Sequence, residues 1–299
     1  MQRSCVNQPT KSDVLKVLIL SGHMTSEHDN KFRSFRKHNE WLTTLLEDSG
    51  RFKVRVVEDP RGLPYSVISK YDVLLVIFEG RDGYHDRATG FGAETDAAIL
   101  KFVHDDGKGI VWFHGSSVQE DDWGYPEEYN TMRGAKLSVP TGIRPRPWGE
   151  ALLHTANPRH AITEGINETW TVTGDDILVG VEIHPTAQVL LTTFDDIEAY
   201  HKAPVWPMSH YPVHIPDGDI SKLPGINTHQ PLAWINEYGN GRSFTITIGH
   251  DIDTFRRIEF IRMFPRGVEW AAVGEVTLTG PDRRGDRRIN PWPYYNGEK

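Results

Sequence analysis

Several hydrophobic runs along this chain end in a residue that can bind a metal ion or transfer a proton. Short runs rich in Val, Ile and Leu are typical of strands buried on both faces of a sheet. Four such runs precede a candidate residue: Lys16–Leu20 before His23, Asp72–Phe78 before Glu79, Gly109–Phe113 before His114, and Ser243–Ile248 before His250 and Asp251. Ligands bind outside the carboxyl ends of strands in open α/β sheets, so we expect these residues to meet at one edge. Taken singly, each of them could equally begin an ordinary loop.

Helical patterns alternate with the strands. Phe32–Glu47 and Ala93–Asp105 carry apolar residues at helical spacing. Strands that alternate with helices and short Gly turns predict βαβ units and a parallel sheet. Near the end, a turn at Gly239–Gly241 predicts a hairpin, and a closing helix over Thr254–Ala272 is expected to kink or split at Pro265.

The predicted organisation is one α/β domain with two flanking segments. Residues 16–272 form the domain, residues 1–15 are expected to be a flexible segment, and residues 273–299 an arm packed on the body or on a neighbouring subunit of a homo-oligomer. Residues 118–227 are rich in Pro, Trp, Gly and His, with only short strand-like pieces. A stretch of that length is seldom an idle connection, so we expect an irregular mixed insertion that lines the site.

Composition and net charge argue against several classes of protein. The chain has 299 residues, and its net charge of −8 disfavours binding to nucleic acid or to an anionic membrane surface. No run approaches the ~18 apolar residues of a membrane span, and the first residues lack the apolar stretch of a signal peptide. The single cysteine, Cys5, lies in that polar segment, which leaves no internal disulfide and no buried thiol nucleophile. We therefore expect a cytoplasmic protein that binds neither nucleic acid nor membrane.

Seven blocks of the sequence occur in an order that is typical of one protein family. They are VLILSGHMTSEHD, LLEDSGRFKVRVVEDP, YDVLLVIFEG, GKGIVWFHGSS, NPRHAITEGI, PLAWINEYGNGRSFTITIGHD and GVEWAA, between Lys16 and Ala272. This pattern resembles the ThuA-like proteins, the trehalose-utilisation family. The resemblance implies a class I glutamine amidotransferase-like fold, which is a flavodoxin-like parallel sheet with helices on both faces. It also implies sugar catabolism, in particular of glycosides that a partner sugar 3-dehydrogenase has oxidised to the 3-keto form.

True glutaminases share that fold but differ at the catalytic residue. They place a nucleophilic cysteine after the strand that corresponds to Gly109–Phe113. Here residues 114–117 read HGSS, so we expect no glutamine hydrolysis by the usual route. The segment FTITIGHD resembles the strand that delivers the glutaminase histidine, which implies an active-site position for His250. Ser116 or Ser117 is an alternative nucleophile, although HGSS is not the G-x-S-x-G of a nucleophile elbow.

Two kinds of chemistry fit the strand-end residues, and their spacing does not decide between them. In the first, His23, His114 and His250 bind a divalent metal such as Zn²⁺, with Glu79 or Asp251 as a fourth ligand or acid–base partner. In the second, the same groups act as general acid and base without a metal, with His250 as the base. Either would serve a 3-keto glycoside, because the ketone acidifies the neighbouring C–H bond. We expect no nucleotide cofactor.

Loop residues are the predicted substrate contacts. Tyr84 and His85 lie in the Gly-rich loop after Glu79, and Trp123 and Trp148 lie in the insertion. Tryptophan rings can stack on sugar rings, but each could equally pack its loop onto the core. We therefore predict an enzyme that acts on a small oxidised sugar by hydrolysis, elimination or isomerisation. The competing interpretation is a noncatalytic sugar-binding or assembly partner of a sugar dehydrogenase, and a serine hydrolase is the third.

Overall fold

The hydrophobic runs form a central sheet with helices around it. The computed structural model describes residues 14–22, 35–78, 90–117, 125–136, 144–202 and 215–279. The strands are β1 (Leu15–Ser21), β2 (Phe52–Glu58), β3 (Val73–Val76), β4 (Gly109–Phe113), β5 (Ala135–Lys136), β6 (Arg144–Pro145), β7 (Glu150–Thr155), β8 (Thr169–Thr173), β9 (Leu178–Val179), β10 (Glu182–Ile183), β11 (Gln188–Phe194), β12 (His229–Tyr238) and β13 (Gly241–Ile246). The helices are α1 (Phe35–Glu47), α2 (Tyr65–Ile68), α3 (Ala93–Leu100), α4 (Glu128–Arg133), α5 (Ile197–Lys202), α6 (Ile252–Phe255) and α7 (Ile258–Val273).

One half of the sheet is parallel, as the alternation of strands and helices predicts. Nine strands pair in the order β2-β1-β3-β4-β13-β12-β11-β7-β8, and the first five run parallel. Every residue of β3 and β4 is buried. The strands predicted before the four candidate residues are therefore confirmed as β1, β3, β4 and β13. They are neighbours in the sheet, so their carboxyl ends share one edge.

The other half of the sheet is antiparallel and comes largely from the middle of the chain. Strands β12, β11, β7 and β8 follow β13 in antiparallel pairs. The strand-like pieces of the insertion are thus part of the main sheet, and the insertion is more regular than its composition indicates. Along β7, Ala151 and Leu153 are buried while Leu152 is 48% exposed. Such alternation is typical of antiparallel strands with one face open.

Helices cover both faces of the parallel half. Leu42 of α1 and Phe264 of α7 belong to the core of one face. Ile99 of α3 and Met132 of α4 belong to the core of the other face. The predicted flavodoxin-like arrangement is therefore confirmed.

The closing helix breaks at a different place from the one predicted. Pro265 lies inside α7, and the helix continues through it. The break comes earlier, because Arg257 has the extended backbone angles φ −75° and ψ 127° between α6 and α7. The lost backbone hydrogen bond at Pro265 is tolerated because α7 is held by its buried face, which includes Phe264 and Val268.

The residues that follow α7 pack against it. Glu269 is fully buried and accepts hydrogen bonds from Arg51 Nε at 2.8 Å and from the backbone N–H of Thr277 at 2.8 Å. Most of the predicted flanking segments, residues 1–13 and 280–299, lies outside the described residues. Within the described segments, no helix has both the length and the apolar character needed to span a bilayer.

Candidate active site

Strands β4 and β13 bring two of the predicted site residues to the same edge. They are parallel neighbours, and Phe113 pairs with Ile246 at their carboxyl ends. His114 follows β4 directly, and His250 lies four residues after the end of β13. Their imidazole ring centroids are 5.3 Å apart, with 55° between the ring planes. The sheet topology therefore places two imidazole groups beside each other.

His114 is buried and held in an uncommon backbone conformation. Its side chain is 4% exposed, and its φ of 46° lies in the left-handed region. Non-glycine residues in this region cost about 1 kcal/mol or more and concentrate at functional sites. His114 Nδ1 lies 2.7 Å from the carbonyl oxygen of Thr247. Because a carbonyl oxygen can only accept, Nδ1 carries a proton, and in the neutral imidazole the lone pair is then on Nε2.

This tautomer makes His114 a proton acceptor through a defined atom. Nε2 of a neutral imidazole can take a proton from a substrate or bind a metal ion, and the bond from Nδ1 to a carbonyl fixes the orientation of the ring. The sequence predicted His250 as the metal-free base, and that role stays a prediction. The hydrogen bond to Thr247 makes Nε2 of His114 a second candidate for it.

The turn that carries His250 requires a glycine. Gly249 has a φ of 115°, and a Cβ atom at this position would lie 2.4 Å from Cζ of Phe113. Any larger residue would both strain the backbone and collide with a buried ring. The absence of a side chain at Gly249 thus lets the turn approach β4 closely.

A histidine from α1 contacts the same turn. His38 is 8% exposed, and its Nε2 lies 3.0 Å from the carbonyl oxygen of Gly249 and 3.2 Å from that of His250. Both partners are acceptors, so Nε2 of His38 carries the proton. Its ring packs against Trp41 and Phe255, with centroids 5.1 and 6.0 Å away. His38 therefore anchors the turn from one side.

A buried carboxylate contacts the turn from the other side. Asp175, two residues after β8, accepts hydrogen bonds from the backbone N–H groups of Gly249 and His250, each at 2.9 Å. The hydroxyl of Thr254 donates to the same carboxylate. Burial raises the pKa of Asp175 to about 6, although the three hydrogen bonds act in the opposite direction. No sequence motif marks Asp175 or His38, and neither was predicted.

Ser116, the alternative nucleophile, is engaged with the backbone. It is 5% exposed, and its hydroxyl lies 2.7 Å from the carbonyl oxygens of Val76 and Phe113. The same oxygen accepts the backbone N–H of Phe113 at 3.1 Å. These contacts join the ends of β3 and β4, and they give Ser116 the capping role that serine often has at turns.

Five of the other predicted site residues lie outside the described residues. They are His23, Glu79, Tyr84, His85 and Trp123, and their placement stays a prediction. Among the described residues, no three His, Cys, Asp or Glu side chains are grouped so that they could hold a metal ion.

Asp251 and Trp148 lie in described segments. The Asp251 carboxylate accepts the backbone N–H of Asp253 at 2.9 Å and caps α6, which is a structural contact. Trp148 is 51% exposed and lies beside Gly174, the residue before Asp175. The sugar contact expected of Trp148 stays a prediction.

Comparison with known proteins identifies one family. The family model for ThuA, described as trehalose utilisation, matches residues 16–271. No curated protein has a sequence similar enough to match the chain.

Solved structures show the same fold at low sequence identity. A ThuA-like protein from Parabacteroides merdae is 20% identical, with a TM-score of 0.63 over 90% of this chain and 94% of that one. A ThuA-like protein from Bacteroides uniformis is 15% identical, with a TM-score of 0.59 over 92% and 98% of the two chains. The cytoplasmic protein STM3548 from Salmonella typhimurium is 12% identical, with a TM-score of 0.55 over 87% and 100%.

Proposed function

We propose that this chain, which belongs to the ThuA family of trehalose utilisation, is an enzyme of carbohydrate catabolism that acts on an oxidised, 3-keto glycoside. The observation that carries the proposal is the His114–His250 pair at the carboxyl edge of the sheet. Several titratable groups at one site are typical of catalysis and are less needed for simple binding. An upstream sugar 3-dehydrogenase would supply the substrate, and a cytoplasmic location fits such a sequence.

The proposed reaction uses one histidine as base and the other as acid. Nε2 of His114 removes the proton from C2, and the C–H electron pair forms an enolate with the ketone at C3. The enolate then expels the glycosidic oxygen from C1, and this oxygen takes a proton from His250. The products are an unsaturated ketone and the free alcohol. Addition of water to the unsaturated ketone would complete a net hydrolysis.

A divalent metal is compatible with the two histidines. The carbonyl of Thr247 orients His114 in the way that metal-binding histidines are usually held. His23 is the third predicted ligand, with Glu79 or Asp251 as a fourth. A metal bound there would polarise the ketone oxygen. A metal held by Nε2 of His114 would occupy the lone pair that the proposed reaction uses for the C2 proton, so the metal-bound and the metal-free schemes are alternatives.

The test is turnover of 3-keto trehalose by the purified protein, with trehalose as the matched unoxidised control. We expect product only from the keto sugar, because trehalose has no acidified C–H bond. Replacement of His114 or His250 by Gln should lower kcat by roughly 10²–10⁴-fold, the usual contribution of a general acid or base. Elemental analysis and an assay after chelation decide whether a metal takes part.

Two results would refute the proposal. Equal turnover of both sugars would show that the ketone has no role. Binding of the keto sugar without any turnover would instead support a noncatalytic sugar-binding partner of a dehydrogenase.

A further inference from the structure

Hydrogen bonds with His38 and Asp175 hold three peptide groups around His250, and the middle one is bound at both its carbonyl and its N–H. The peptide between Gly249 and His250 has its carbonyl bound by His38 at 3.0 Å and its N–H bound by Asp175 at 2.9 Å. The preceding peptide has its N–H, on Gly249, bound by Asp175 at 2.9 Å. The following peptide has its carbonyl, on His250, bound by His38 at 3.2 Å. Three consecutive peptide groups are thus fixed.

Fixed peptide planes determine the direction of the Cα–Cβ bond from which the side chain extends. The orientations of the peptides before and after His250 set its φ and ψ, and therefore the direction of its Cα–Cβ bond. That bond directs the imidazole toward His114, whose ring centroid is 5.3 Å away. The clamp formed by His38 and Asp175 therefore acts on the distance between the two histidines.

Only a carboxylate can satisfy the donors that meet at residue 175. The N–H groups of Gly249 and His250 and the hydroxyl of Thr254 all point at its two oxygens. Asparagine has one acceptor oxygen, so its NH₂ group would face at least one of these donors. A buried carboxylate costs desolvation free energy, and charge-assisted hydrogen bonds to the turn offset part of that cost here.

We propose that Asp175 is a positioning residue that, together with His38, fixes the imidazole of His250 next to that of His114. This inference deepens the proposed function, because it concerns the same histidine pair. Asp175 touches no reacting atom in this scheme. It acts through the backbone of residues 249 and 250.

The decisive experiment is an NMR measurement that needs no substrate. In protein labelled at histidine, the rings of His114 and His250 should give a cross-ring nuclear Overhauser effect, with each signal assigned from its His→Gln variant. We expect Asp175→Asn to abolish this effect. Asp72→Asn is the matched control, since Asp72 accepts the backbone N–H of Lys16 at 2.8 Å before the start of β3, away from the site. This control should retain it.

A second pair of variants covers the case in which Asp175→Asn fails to fold. Thr254→Val removes the hydroxyl that donates to Asp175 at nearly constant shape, and Thr254→Ser keeps it. We expect Val to weaken the cross-ring signal and Ser to preserve it. Where turnover is measurable, kcat should fall on the order of 10²-fold in Asp175→Asn with KM little changed, as expected for a displaced catalytic group.

Retention of the full cross-ring signal in folded Asp175→Asn, or equal behaviour of the Val and Ser variants of Thr254, would overturn the positioning role. Loss of the signal in Asp175→Asn alongside no activity on any keto sugar would uphold the positioning role and reject the proposed function. The positioning role of Asp175 and the proposed enzymatic function can therefore be refuted independently of each other.

Discussion

The parallel and antiparallel halves of the sheet contribute different parts of the candidate site. The parallel half has continuous apolar strands, and two of them end in His114 and His250. In the antiparallel half, the outer strands β7 and β8 alternate in exposure, and the loops next to these strands contribute Asp175 and Trp148. The parallel half thus supplies the two proposed proton-transfer groups, together with His38, which contacts the His250 turn from α1. The antiparallel half supplies Asp175, which contacts the same turn from the other side. The position of His250 therefore involves contacts from both halves.

Both halves are stabilised by apolar packing and by a buried ion pair nearby. One apolar core includes residues of both halves, such as Leu75 of β3 and Leu191 of β11. Arg51 and Glu269 form the buried pair next to the parallel half.

The pair next to the antiparallel half joins Arg144 of β6, which pairs with β9 in a separate small sheet, to Asp195, which follows β11. Arg144 Nη2 lies 2.5 Å from the carboxylate, and both side chains are almost inaccessible. Burial raises the pKa of Asp195, while Arg144 and the hydroxyl of Tyr200 counteract that rise.

The largest expected effect on stability comes from breaking that ion pair. Arg144→Met leaves Asp195 as a buried charge without its guanidinium partner, which should cost about 3–5 kcal/mol of unfolding free energy. Lys222→Met is the control, because the Lys222–Asp217 pair is 49% and 81% exposed and such pairs contribute about 0–1 kcal/mol. Urea unfolding of both variants measures the difference. Similar losses would mean that the antiparallel half does not depend on its buried pair.

The next largest expected effect is a pH dependence of the unfolding free energy that originates at Asp175. Its pKa is raised from 3.8 to about 6, so the folded state binds the proton more tightly than the unfolded state. Protonation of Asp175 therefore stabilises the folded state. This contribution to the unfolding free energy is fully present below about pH 4 and is lost as the pH rises through about 6. The loss amounts to about 3 kcal/mol. Asp175→Asn should lack this change. We expect the unfolding free energy of the variant, relative to wild type, to increase between pH 4 and pH 7. A constant difference would contradict the raised pKa.

A smaller loss of stability is expected where the two strand ends touch. Gly249→Ala places a Cβ against Phe113 at a φ of 115°, which should cost about 2–4 kcal/mol in strain and overpacking and disturb the His250 turn. Gly62→Ala is the matched control, with a φ of 72° and nothing within 4 Å of the added Cβ, so it should cost about 1 kcal/mol. Only the Gly249 variant should lose turnover. If both variants keep full activity, the close approach at Gly249 is dispensable.

The smallest effect concerns the exposed indole of the antiparallel half. Trp148→Ala should change stability little, because the side chain is 51% exposed. If the ring stacks on the sugar, the substitution should raise KM about 2–10-fold with kcat unchanged, in line with the free energy of an aromatic contact. Leu152→Ala is the control, since Leu152 is a similarly exposed apolar residue at 48%. Equal KM values in the two variants would argue against stacking.

The positions of His114 and His250 were predictable from the sequence, whereas the contacts of Asp175 and His38 with the His250 turn were not. Apolar runs that end in His114 and His250 are visible in the sequence because buried parallel strands have few polar residues, and polar groups mark their ends. Asp175 follows a short alternating strand and is one of two adjacent aspartates, with nothing local to set it apart. His38 lies in the first turn of an amphipathic helix. Their roles arise from contacts over 74 and 211 residues of sequence, which no local pattern encodes.

The two halves of the sheet also differ in how well the sequence predicted them. The strands of the parallel half were located within a few residues, because their pattern is local. The antiparallel extension by β7, β8 and β11 was underestimated, since short strands interrupted by Pro and Trp resemble irregular chain until their partners are known. The position of the closing-helix break was also misjudged, because tertiary packing of α7 outweighs the local effect of Pro265.

A double-mutant cycle on the two histidines tests the central claim most directly. His114→Gln, His250→Gln and the double variant are assayed for turnover of 3-keto trehalose under one set of conditions. If the two imidazoles act as one unit, the double variant should be about as slow as either single variant, because removal of one member already disables the other. Losses that multiply in the double variant, or full activity in either single variant, would contradict a shared reaction centre.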